Sequence, residues 1–404
     1  MTYSTKLKAA LALILVGGAT AAAPAGAQQE PAAPATPACT STPFVSGTDG
    51  YHTFRIPATI VSPSGEVLAF AEGRVDSASD TGDIDIVLRR SDDGGCTWSD
   101  LEVVADLGAD TIGNPTPVVD PESGDIVLLS TFNLGTSTED RIKRGLDPAR
   151  TAHVQRSSDG GRTWSEPEDI AATTRLPSWR WYATGPGHAI ALTSGPDAGR
   201  LVAGANHSLA PADGSTDIGT EAQYLGGHSL ISDDGGLTWR IGFVADDPTG
   251  RANANETTLA QLPDGRVYLN SRKGRNSAAV GNRLDTYSPD GAESLDRPYV
   301  SQGTLWQMPA CAGSVLQTNG TGSDQALFFT GPSNPGARSA LSIRRSDDGG
   351  LTFEPVLTLS GLPAAYSDLV QLDRDTIGVM YETGNFIPSE TITFRRVPLR
   401  DLRS

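Results

Sequence analysis

One eight-residue pattern recurs along this chain and limits what it can fold into. Ser-x-Asp-x-Gly-x-Thr-Trp/Phe occurs at Ser91–Trp98, Ser157–Trp164, Ser232–Trp239 and Ser346–Phe353, with a degenerate copy at Ser288-Pro289-Asp290-Gly291. Successive copies start 66, 75, 56 and 58 residues apart. Recurrence at intervals of this size marks a repeat architecture. The pattern itself suits a hairpin turn. The Asp carboxylate can accept from turn amides, Gly takes φ > 0 without steric cost, and the aromatic is expected to pack back onto its own hairpin. A unit of about 60 residues holds four short strands with their loops, the size of one propeller blade. Residues 39–404 accommodate six such units. The motif is structural, whatever its acidic residues suggest.

The rest of the chain agrees with an all-β fold. Short apolar runs such as Glu66–Phe70, Ile84–Arg89, Ile126–Ser130, Arg266–Leu269 and Thr376–Tyr381 alternate with turn residues, and no stretch sustains a helical period. Forty-five Gly and 27 Pro supply the turns.

Residues 1–27 read as a secretory signal peptide. Lys6 and Lys8 precede the apolar run Ala9–Val16, and Ala25-Gly26-Ala27 offers small residues for cleavage. The run is too short to span a bilayer. Residues 28–38, rich in Pro and Ala, read as a flexible linker, and residues 39–404 as one catalytic domain. The expected product is secreted, with no membrane attachment. The whole chain carries a formal charge of −17, and removing residues 1–27 takes away two lysines and no acid. So acidic a protein is a poor nucleic-acid binder, and an anionic substrate must be captured by a local cluster of arginines. Three cysteines remain in an export-competent protein. Cys39 precedes the first strand and Cys96 lies in a loop of the first repeat, so a Cys39–Cys96 bridge is expected, with Cys311 free. The five histidines show no ligand spacing and the cysteines are too few for zinc, so no metal is expected.

Further motifs make the reading specific. Phe54-Arg55-Ile56-Pro57 lies upstream of the first repeat. Glu72-Gly73-Arg74, Ser79-Asp80-Thr81-Gly82-Asp83, Gly113-Asn114-Pro115, Asn255-Glu256, Asn270-Ser271-Arg272, Ala337-Arg338, Tyr366-Ser367-Asp368 and Tyr381-Glu382 follow in order. With these motifs and the repeats, which are Asp-boxes, the chain resembles the bacterial and animal exo-α-sialidases over essentially residues 44–396.

The resemblance implies a six-bladed β-propeller that hydrolyses terminal α-linked sialic acid from glycoproteins, glycolipids and oligosaccharides, with retention, through a covalent tyrosine intermediate. Trans-sialidases, including intramolecular ones, use the same residues and are the alternative. Arg55, Arg272 and Arg338 match the triad that clamps the substrate carboxylate. Guanidinium forks suit this because they meet two oxygens at once. Tyr366 matches the nucleophile. A neutral phenol avoids the repulsion that a carboxylate nucleophile would meet beside the substrate's own carboxylate. A phenol with pKa of about 10 needs a base, and Glu256 matches that partner. Asp80 matches the acid/base, with Asp76 its rival, and work as an acid near neutral pH calls for a raised pKa. Arg74 and Asn114 match positions near the 4-hydroxyl, and Glu382 one that holds a triad arginine. Phe132-Asn133-Leu134, Trp179, Trp181 and Tyr182 could line an apolar pocket for the N-acetyl group or simply pack in the core. No cofactor is implied. The expected partners are sialylated glycans, and a monomer is expected because no exposed apolar segment asks for a partner.

Overall fold

The computed structural model describes residues 1–2 and 39–403; the signal-peptide and linker assignments fall outside the described residues. Residues 39–403 lie within one compact unit of all-β structure. No helix among the described residues is long and apolar enough to cross a membrane.

Hydrogen bonding gathers the strands into four sheets. The eight-stranded sheet divides where Ile84 and Thr111 form its one parallel link. The seven-stranded sheet divides along a single 20-residue strand, Glu354–Asp373, whose first part pairs with Ser339–Ser346 and whose second pairs with Thr376–Thr383. The result is six antiparallel groups of essentially four strands each. The last group is completed from the other end of the chain: Thr40–Val45 pairs with Thr391–Pro398. The expected disulfide joins Cys39 to Cys96, and Cys311 is free and buried.

Each repeat closes the turn between the third and fourth strands of its group by the same bonds. In the first copy, Ser91 Oγ donates to Asp93 Oδ1 at 2.7 Å, the Gly95 amide donates to Ser91 Oγ at 2.7 Å, and Thr97 donates from its amide and hydroxyl to the Asp93 carboxylate. The degenerate copy keeps the scheme through Ser288, Asp290, Ala292 and Ser294.

The aromatic folds back onto its own turn as expected, the Trp164 indole N–H donating to Gly161 O at 2.9 Å and that of Trp239 to Gly236 O at 3.2 Å. It also reaches the preceding group, which the sequence reading did not foresee. Trp98 meets Phe394 edge-on at 5.4 Å, Trp164 meets Phe70 at 5.9 Å, and Phe353 lies 6.0 Å from Tyr268. The second glycine permits this approach: at φ 93° with no Cβ, Gly95 lies against the Phe394 ring, where any side chain would collide. A hydrogen bond joins each such pair of groups. Arg396 donates to Asp93 O (3.0 Å), Arg90 to Gly160 O (2.9 Å), Arg156 to Gly235 O (2.7 Å), Arg200 to Gly291 O (3.2 Å) and Tyr287 to Gly349 O (3.0 Å). The repeated turn is thus a clip between groups.

These carboxylates work as anions. Burial pushes the Asp93 carboxyl up, but hydrogen bonds from Thr97, Ser91 and the Cys96 amide outweigh it and bring the value down to about 2. The folded value lies below the unfolded one of about 3.9. The stabilisation is therefore complete above about pH 4 and is lost as pH falls toward about 2. Thermal melts across that window should show a falling Tm, and Asp93→Asn should have a lower Tm at neutral pH with a shallower acid slope. An unchanged slope would remove Asp93 from the acid transition.

Candidate active site

The first strands of four groups break register near one end, and they do so where the predicted site residues stand. In Thr53–Val61 the irregularity falls between Arg55 and Ala58, and in Thr111–Val119 between Gly113 and Thr116. In Ala254–Gln261 it falls between Ala254 and Thr257, and in the Tyr366 strand between Ala364 and Ser367. A bulge re-aims a side chain that regular alternation would send into the sheet faces. Ile56 and Asn114 take left-handed backbone at φ 59° and 55°, which is costly for a β-branched residue.

The re-aimed side chains converge on a pocket of about 280 Å³ that includes Arg55, Arg74, Asp80, Asn114, Glu256, Arg272, Arg338 and Tyr366. A larger hollow of about 750 Å³, bordered by Phe243, Asp246 and Tyr299, contains none of them. The polar and charged side chains gather in the smaller pocket.

Tyr366 stands at its centre. Its hydroxyl donates to Glu256 Oε1 and accepts from Arg272 Nη1 at 3.1 Å, while Arg272 also binds Glu256 Oε2 at 2.9 Å. The guanidinium carbons of Arg55 and Arg338 lie 5.2 and 5.5 Å from the Tyr366 ring centre. Burial, then the Glu256 charge, hold the phenol well above its ordinary pKa, with Arg272 and Arg55 opposing. It therefore rests protonated, its proton directed at a carboxylate.

The clamp is braced from beneath. Glu382, fully buried, accepts from Arg55 Nε at 2.7 Å, from the Ile56 amide at 2.9 Å and from the Tyr366 amide at 3.2 Å. Arg338 is anchored on Ala310 O at 2.9 Å. Glu72, quoted within its motif but given no role from sequence, grips Arg74 through Nε (3.0 Å) and Nη2 (2.6 Å) and accepts from the Asn114 amide at 2.9 Å.

Asp80 stands at the mouth with its side chain 82% exposed, 2.7 Å from Arg74 and 3.9 Å from Arg55. A general acid calls for a raised pKa here, and the site does the reverse. Burial pushes upward, but Arg74 and then Arg55 prevail and lower it. The rival Asp76 is not among the pocket residues.

Of the aromatics, Trp181 borders the pocket, whereas Trp179 and Tyr182 are buried in a core cluster. Arg150 and Lys143 also line the pocket. Sequence reasoning missed Arg150 because it lies in a connecting segment with no motif around it.

A repeated β-clip scaffold with its polar site at the broken ends of the strands defines a class, and comparison with known proteins agrees. Residues 65–379 match the BNR repeat-like domain. A sialidase of Micromonospora viridifaciens is 32% identical over 361 residues, covering 85% of this chain and 52% of that protein. An exo-alpha-sialidase of Aspergillus fumigatus is 31% identical over 366 residues, covering 83% and 80%. The Hadza microbial sialidase Hz136 superposes with a TM-score of 0.75 at 26% identity, covering 90% of this chain and 69% of that one. The chain belongs to the sialidase family. It spans about half the length of its Micromonospora relative.

Proposed function

We propose that this chain is a secreted, monomeric exo-α-sialidase that releases terminal sialic acid from glycans with retention, on a six-bladed β-propeller in which the six strand groups are the blades. The observation that carries the reading is the contact of Tyr366 with both Glu256 and Arg272, with Arg55 and Arg338 flanking the same ring.

In the first step the Tyr366 oxygen attacks the anomeric carbon, C2, as Glu256 takes the phenol proton. The C2–aglycone bond breaks and the leaving oxygen receives a proton from Asp80. In the second step water attacks C2 and gives a proton to Asp80. The C2–tyrosine bond breaks and Glu256 returns the proton to the phenolate. Two inversions give net retention. The three arginines fix the substrate carboxylate and so orient C2 over the tyrosine oxygen. The bound carboxylate also offsets the positive field of Arg55, which lets the Asp80 pKa rise in the complex.

The test is release of fluorophore from an α-sialoside, with a β-galactoside as control and NMR of the first-formed anomer. The α-anomer of free sialic acid is expected, and no release from a folded sample would overturn the reading. Asp80→Ala should lose less than about tenfold with the activated phenolic leaving group but about 10²–10⁴-fold with a sialyl-galactoside. Equal losses on both substrates would exclude Asp80 as the acid.

A further inference from the structure

The three clamp arginines are held in different ways. Arg55 pairs with Glu382 and Arg272 with Glu256, whereas Arg338 pairs with no carboxylate among the described residues. Its anchor is one backbone oxygen, Ala310 O, which accepts from Nη2 at 2.9 Å and from Nε at 3.3 Å. The direction of Arg338 therefore depends on where residues 310–312 lie. They are irregular chain leading toward the strand Ser314–Gln317. Among the described residues the other hydrogen bond to this segment comes from Arg283, whose Nη1 donates to Cys311 O at 2.9 Å.

Arg283 is placed to hold two things at once. It opens the strand Arg283–Ser288 and stands directly opposite Arg272 in register. It is 1% exposed and does not border the pocket. Its guanidinium lies 5.1 Å from the Phe329 ring centre, and Glu256 and Asp285 pair with Arg272 and Arg297 rather than with it. Its remaining donors, Nε and Nη2, converge on Asn270 Oδ1, Nε at 2.8 Å. Asn270 Nδ2 donates to the Tyr268 hydroxyl at 2.9 Å, which turns the amide oxygen toward Arg283. Asn270 and Arg272 are two residues apart in the strand Val267–Lys273, so their side chains leave the same face. One planar fork thus ties the strand that carries Arg272 to the segment that anchors Arg338. A buried charge with no carboxylate beside it is costly, and an apolar side chain of similar volume would pack there without that cost. Such a side chain could not bind both acceptors.

We propose that Arg283 is a positioning residue for the carboxylate clamp: it fixes residues 310–312 and, through Ala310 O, sets the direction of Arg338. The same segment packs against the nucleophile, since Cys311 shares a buried cluster with Tyr366 and Ile56. The inference rests on the sialidase reading above, which gives the clamp its ligand.

The test has two readouts. Cys311 is the one thiol left free by the Cys39–Cys96 bond. Its rate of reaction with an aromatic disulfide reagent under native conditions reports on the segment without reference to activity. Arg283→Met should raise that rate at least about tenfold, at a temperature well below its melt. On a fluorogenic α-sialoside the same variant should lower kcat/KM about 10–10²-fold, chiefly through KM, because a misdirected clamp weakens binding of the carboxylate. In an Arg338→Ala background Arg283→Met should cost less than about threefold, since both changes act through one side chain. Arg283→Lys keeps the buried charge but loses the fork, so it should fall between wild type and Arg283→Met in both readouts. It carries the same comparison where Arg283→Met does not fold. A Cys311 thiol as slow in the variants as in wild type overturns the fixing of the segment by Arg283. An undiminished loss of kcat/KM in the Arg338→Ala background overturns its action through Arg338. A wild-type protein that releases nothing from the sialoside overturns the sialidase reading and the role at the clamp with it, while the thiol rates separately decide whether Arg283 holds the segment.

Discussion

Tyr366→Phe lowers kcat by roughly 10³-fold or more and leaves the fold intact. The substitution removes one oxygen. The ring stays in its cluster with Ile56, Cys311, Ala312 and Ala365, and Glu256 keeps its 2.9 Å bond to Arg272. Stability should change by less than about 1 kcal/mol, because the partners left behind satisfy each other. What disappears is the oxygen proposed to form the covalent bond, with the proton it directs at Glu256. Turnover of a fluorogenic α-sialoside, measured beside a thermal melt, separates the two effects. Undiminished kcat would leave an enzyme without this nucleophile. A parallel loss of Tm and activity would show that the hydroxyl serves packing.

Glu382→Ala costs about 3–5 kcal/mol of stability and lowers kcat/KM by roughly 10²-fold. One fully buried carboxylate there serves three needs at once. It neutralises Arg55, whose pKa it pulls up against the opposing effect of burial. It accepts the amide of Ile56, held in left-handed backbone, and the amide of Tyr366 itself. Its loss leaves a buried cation uncompensated and frees the bulge that aims Arg55 toward Tyr366. Glu382→Gln keeps an acceptor but not the charge, so it should fall between wild type and Glu382→Ala in Tm, with KM raised more than kcat is lowered. A Glu382→Ala protein that melts within about 1 kcal/mol of wild type would show that Arg55 finds another partner.

The sequence carried the all-β class and most of the site because both depend on local signals. The repeat writes its turn chemistry into eight residues, and the motifs containing Arg55, Glu256, Arg272 and Tyr366 mark strand ends that the structure brings together. What stayed hidden depends on neighbours distant in the chain. The destination of Trp98 is Phe394, and nothing local to either residue announces the other. Asp80 looked crowded by acids in sequence, yet its nearest charges in space are Arg74 and Arg55. Arg150 had no motif around it, and its place in the pocket beside Asn114 exists only in three dimensions. The register breaks at Arg55 and Tyr366 likewise leave no trace in hydrophobic alternation, because both strands are buried on both faces there and do not alternate.

The pairing of Thr40–Val45 with Thr391–Pro398 has a consequence for how the molecule is made. The first strand among the described residues has its partner roughly 350 residues behind it, an interval on the order of 20–70 s at ordinary rates of synthesis. Through that time its edge is open to wrong pairing. The Cys39–Cys96 bond needs only 57 residues of separation to form, so it can moor the waiting strand beside the first-formed group long before the last one exists. The last sheet is sealed only once Thr391–Pro398 has been made. Reductant present during biosynthesis should therefore harm the yield of folded protein more than the same reductant added to the finished molecule.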